Sequence, residues 1–149
     1  MTSTMLPVFQ NTLKKTDQWL DEIMELLDWP DRQQAYKALR AVLHTLRDRL
    51  TIEEATDLAA QFPMLIRGLF FEGWNPTGKP NEIRKPDEFV GIVNQHFPPA
   101  EDAEYIDQED ITRAVFRVIA NHVSQGEIDD VIGSMPKELR ELWSQPDEF

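Results

Sequence analysis

The sequence predicts an all-α fold, and three observations carry that expectation. Apolar residues recur at helical spacing along nearly the whole chain. Sustained period-two alternation and Asn-Gly or Asp-Gly hairpin turns are both missing. One helical pattern is also written twice. The stretch "AVLHTLRDRLTIEEATDLAAQFPMLIRGLF" from Ala41 aligns without a gap on "AVFRVIANHVSQGEIDDVIGSMPKELRELW" from Ala114, a constant offset of 73. Leu46 matches Ile119, Leu50 matches Val123, Leu58 matches Val131, and Phe70 matches Trp143. Upstream, Trp19-Leu20 matches Phe89-Val90 at an offset of 70, with a short insertion before the second long helix. The expected architecture is a tandem repeat of two packed four-helix units, long-long-short-short. The units span about 5–74 and 85–144 within a single domain, residues 1–149, with a linker over 73–84.

The first helix is expected over Pro7 to Leu27, with Phe9, Leu13, Leu20, Ile23 and Leu27 on one face. Pro30 closes it. A second runs from Asp31 to Arg49 on the stripe Tyr36, Leu39, Leu43, Leu46 and Leu50. Thr51-Ile52-Glu53-Glu54 opens the third as a capping box, in which the hydroxyl accepts from an unpaired backbone N–H and the glutamate reaches back. Ser124-Gln125-Gly126-Glu127 repeats the device. Pro63 and Pro136 open the fourth helix of each unit, where a missing N–H costs nothing. The linker "GWNPTGKPNE" carries two Pro, two Gly and two Asn in ten residues. In the second unit, Asp87 to His96 forms the first helix and Pro98-Pro99 ends it. Asp107 caps a long helix from Gln108 to Val123.

The repeat supplies an internal control for the apolar stretch "FPMLIRGLFFEGW". Ile66, Leu69 and Phe70 have apolar counterparts in Leu139, Leu142 and Trp143, the face each unit needs for its own core. Met64, Leu65, Gly68 and Phe71 stand where the second unit has Lys137, Glu138, Glu141 and Ser144. Exposing such a stripe costs roughly 1.5–3 kcal/mol per large side chain relative to burial. With Trp74 at its end, the stripe is expected to be a junction covered by the second unit. A homodimer or partner surface is the second reading. A ligand pocket, with Gly68 allowing close approach, is the third.

Charge removes several function classes. The net charge is −12, the wrong field for displacing counterions from phosphates or docking on anionic lipid. Nucleic-acid and membrane binding are therefore not expected. Residues 76–149 carry 16 acids against 7 Lys/Arg, and residues 87–110 hold eight acids with no Lys or Arg. With no cysteine, disulfides, thiolate metal sites and Cys nucleophiles are absent. The N-terminus has no basic start followed by a long apolar run, so a cytoplasmic location is the default.

Chemistry is sparse. Lys37, Arg40, His44 and Arg47 form a basic stripe on the second helix, readable as an anion site or as a charged face paired with nearby acids. Arg67 recurs as Arg140, readable as a ligand hook or as a partner for a helix C-terminus. His44 and Asp48 have the spacing of two metal ligands, but no third ligand accompanies them, so no metal site is assigned. The run "EDAEYIDQED" lacks the glycine that a calcium loop needs at its sharp turn. No nucleophile elbow or phosphate-cradling loop is present, so no catalytic residue or cofactor is assigned.

"AYKALRAVLHTLRDRLTIEEATDLAAQFPMLIRGLFFEGWNP" with "GEIDDVIGSMPKELRELW" resembles the bacterial family that carries the domain of unknown function 2267. Leu46 to Leu50, Pro63 to Gly68 and Glu72-Gly73-Trp74 are its most specific parts. The resemblance implies a small helical cytoplasmic protein and brings no catalytic residues with it. The functional expectation is a non-enzymatic interaction or structural module that binds an unknown protein partner or itself. The alternative is a small-ligand binder that uses the basic stripe or Arg67 near the repeat junction.

Overall fold

The computed structural model describes residues 4–97 and 107–144. Every regular element among them is helical. In chain order these are α1 (Pro7–Leu27), α2 (Arg32–Arg49), α3 (Ile52–Ala59), α4 (Met64–Phe71), α5 (Pro86–His96), α6 (Gln108–His122), α7 (Gln125–Gly133) and a closing 3-10 helix, Leu139–Trp143. Pro98-Pro99 and the acidic run up to residue 106 lie outside the described residues.

Helix boundaries follow local chemistry. The Asp31 carboxylate accepts from Gln33 N (2.9 Å) and starts α2. Asp107 does the same for α6 through Glu109 N (2.9 Å). Thr51 Oγ1 accepts from Glu54 N (3.1 Å), and Ser124 Oγ accepts from Glu127 N (3.3 Å), so the hydroxyl half of both capping boxes forms. Glu54 Oε2 and Glu127 Oε1 are buried and find no partner among the described residues. Burial raises both glutamate pKa values, and neighbouring acids raise them further: Asp130, Asp57 and Glu53 for Glu54, and Glu54, Asp57 and Asp130 for Glu127.

Three expectations need correction. Pro63 caps α4 from outside, with Met64 as the first helical residue. The second half's fourth helix is a 3-10 turn that begins at Leu139, three residues after Pro136. On α1, Phe9 and Leu13 do not join the core. They are 48% and 42% exposed, whereas Trp19, Leu20 and Ile23 are buried.

One continuous core runs through both halves, from Trp19, Leu43, Ile66 and Phe70 to Phe89, Phe116, Val131 and Leu142. α1 packs on α2 and α6, α5 packs on α6 and α2, and α3 lies against α7. Polar clasps reinforce this seam. Gln61 Nε2 donates to Ser124 Oγ (3.1 Å) and Ser124 N donates to Gln61 Oε1 (2.8 Å). Asn121 Nδ2 donates to Glu22 Oε1 (3.2 Å), and His122 bonds the same carboxylate. His122 also stacks on Trp19 with ring centroids 5.1 Å apart. Among the described residues, no helix is long and apolar enough to cross a membrane.

Candidate functional site

α4 is the element around which most of the residues singled out from the sequence gather. Eight residues give it barely two turns, and the last four carbonyls of any helix lack helical partners. The basic stripe of α2 supplies them. His44 Nε2 lies 2.7 Å from Leu69 O. A carbonyl only accepts, so His44 carries its proton on Nε2. Arg47 Nη1 donates to Phe70 O (3.1 Å) and Glu72 O (2.7 Å), while its Nε donates to Asp48 Oδ1 (2.9 Å). Arg40 pairs with the Glu72 side chain at 3.3 Å. Arg40 and Arg47 also bring positive charge to the negative end of the α4 dipole.

His44 and Arg47 are thus neither a solvated face nor an open anion site. Both are buried, at 4% and 6% exposure. Lys37 alone in the stripe is fully on the surface. Arg113 performs the equivalent task at the other end of the molecule. Its Nη1 donates to Glu141 O (2.8 Å) and Ser144 O (3.0 Å) at the close of the 3-10 helix.

Arg67 turns back over the C-terminus of α3. Its Nε donates to Ala59 O (3.0 Å) and its Nη2 to Phe62 O (3.1 Å). Arg140 repeats this on α7 through Met135 O (3.0 Å) and Gly133 O (3.3 Å). Neither guanidinium is presented as a ligand hook. Among the described residues no group of three His, Asp or Glu is placed to hold a metal ion. Asp48 faces Arg47, and His44 faces Leu69 O.

Burial lowers the His44 pKa below its ordinary 6.5, against the pull of the Leu69 carbonyl, and neighbouring Arg47 and Arg40 lower it further. The sign of the consequence follows. As pH falls below about 6.5 the unfolded chain takes up a proton that folded His44 refuses, so stability is lost on acidification through that window. The raised glutamates act in the opposite sense, so a comparison with His44→Gln isolates the histidine. The wild-type urea midpoint is expected to drop more between pH 7.5 and 5.5 than the midpoint of His44→Gln. Parallel drops in the two proteins would refute this role.

The apolar stripe is not sealed by the second half. Met64 is 50% exposed and Leu65 44% exposed, and the principal packing partners of α4 are α1 and α2. The reason is geometric. The second half docks through α1, α2 and α3, which leaves the outer side of α4 open. Phe71 departs from the stripe and packs half-buried on Trp74, with centroids 5.1 Å apart. No other element approaches Gly68 closely, and a Cβ added there would meet nothing within 4 Å.

What the stripe borders instead is a groove of about 610 Å³ between α1, α2 and α4. Phe9, Leu13 and Leu20 form one wall, Tyr36 and Leu39 the floor, and Met64, Leu65, Gly68 and Leu69 the other wall. Thr12 pins the walls together, its Oγ1 accepting from Leu65 N (2.9 Å). The sequence placed Phe9, Leu13 and Tyr36 on helix faces but gave them to the core. Its usable signal was that the first half of α1 has no counterpart in the repeat.

A family model described as an uncharacterized conserved protein (DUF2267) matches residues 16–142. No curated protein matches the chain significantly.

Proposed function

The chain belongs to the DUF2267 family, and from that premise we propose a non-enzymatic binding module of two packed four-helix units that takes an apolar segment into the groove between α1, α2 and α4. Support for the two units comes from the packing pairs. Exchanging α1 with α5, α2 with α6, α3 with α7 and α4 with the 3-10 helix converts α1–α6 into α5–α2 and α2–α4 into the α6–3-10 contact. The same exchange leaves α3–α7 unchanged.

One observation carries the binding role. Where the second unit exposes Lys137, Glu138 and Glu141, the first exposes Met64, Leu65 and Gly68. A unit of this plan folds with charge at those positions, so the apolar residues serve something other than folding. The groove also has the size and the mostly apolar lining of a binding site. Small-anion binding through Arg40, His44, Arg47 or Arg67 has less support, because their donors meet carbonyls or Glu72.

Nile red, a neutral solvatochromic dye, tests the groove. Its fluorescence is expected to rise and shift to the blue on mixing with dilute wild-type protein, at about 0.1 µM, where pairing of a micromolar Kd would leave the groove open. The doubly substituted Leu13→Glu/Leu65→Glu protein should lose the signal while melting at an unchanged temperature. Equal signals from the two proteins would overturn the reading.

A further inference from the structure

Building on that groove reading, we propose that its occupant is a second copy of this chain, docked about a two-fold axis with the exposed first half of α1 antiparallel to its mate. α1 has 21 residues where α5 has 11, so its N-terminal turns extend past the repeat plan. Those turns carry an apolar face. Phe9 and Leu13 border the groove, and Val8, one turn before the groove-lining Thr12, is 49% exposed. An isologous pair therefore brings an apolar rod and an apolar groove from each copy to the same surface.

Area favours this occupant. Val8, Phe9, Leu13, Tyr36, Met64 and Leu65 are each between 37% and 50% exposed. At roughly 200 Å² per large side chain, they offer on the order of 500 Å² of apolar surface per copy. A standard interface buries roughly 800 Å² per partner, somewhat over half of it apolar, so this patch suffices.

Charge favours it as well. A chain of net charge −12 repels its own copies over most of its surface. Residues 1–16 hold no acid at all, so the apolar rod occupies a stretch free of that repulsion.

Sedimentation and light scattering on the full chain test the pairing. At about 100 µM, far above the micromolar Kd expected for such a face, the wild type should show twice the 17.3 kDa chain mass. Leu13→Glu/Leu65→Glu should weaken pairing at least about a thousandfold and run close to the single-chain mass. Circular dichroism and melting temperature verify that this variant stays folded. Ile52→Glu, at an exposed apolar residue of α3 away from the groove, should leave the pair intact. A single-chain mass for the wild type, or pairing that survives the double substitution, overturns the proposal. If the wild type is single but Nile red still reports the groove, the second copy fails and the groove reading stands. If the wild type is single and phosphatidylglycerol vesicles retain it through the same residues, a lipid surface replaces the second copy.

Discussion

Arg47→Ala is expected to destabilise the protein by about 3–5 kcal/mol, the usual cost of removing one partner from a buried charged cluster. The side chain is 7% exposed and joins three structures at once. It satisfies Phe70 O and Glu72 O at the end of α4, and it neutralises Asp48. Truncation leaves a buried carbonyl without a donor and a partly buried carboxylate without its cation. At roughly 2–4 °C per kcal/mol for a chain of this size, the melting temperature should fall by about 6–20 °C. Arg47→Lys should recover less than half of the loss, because a single ammonium cannot reproduce the guanidinium fork. Lys37→Ala, on the same stripe but exposed, should stay within about 0.5 kcal/mol of wild type. Equal losses at positions 37 and 47 would show that the stripe acts only through its net charge.

The second large effect is expected at Trp19. Trp19→Ala should cost about 3–5 kcal/mol, the range for deleting a large buried aromatic. Trp19 is 1% exposed, lies edge-on to Phe62 with centroids 5.4 Å apart, and stacks on His122 of α6. Its removal opens a void at the meeting point of α1, α6 and the turn before α4. Since the core is continuous, unfolding should stay a single transition, with fluorescence and circular dichroism coincident. Two separated transitions, with only one displaced by the substitution, would mean that the halves unfold independently.

Helix positions were legible because they rest on local chemistry. Capping hydroxyls at Thr51 and Ser124, capping carboxylates at Asp31 and Asp107, and apolar spacing each act within a turn or two of the residue that carries them. The same holds for Arg67 and Arg140, which reach back only five to eight residues to the helix before. Failures appeared where the deciding partner was remote in the chain. Pro136 matches Pro63, yet the final segment is a 3-10 turn whose closing carbonyls are held by Arg113 of α6, about thirty residues earlier in the chain.

By itself, then, the sequence determined an all-helical chain, its caps, its family and the odd apolar surplus on α4. Only the tertiary structure decided which side of that surplus stays open. A side chain's spacing names the face it shares, while its burial depends on what packs against that face. For Met64 and Leu65 the nearest wall is Phe9 and Leu13, more than fifty residues earlier in the chain, and no local rule links them.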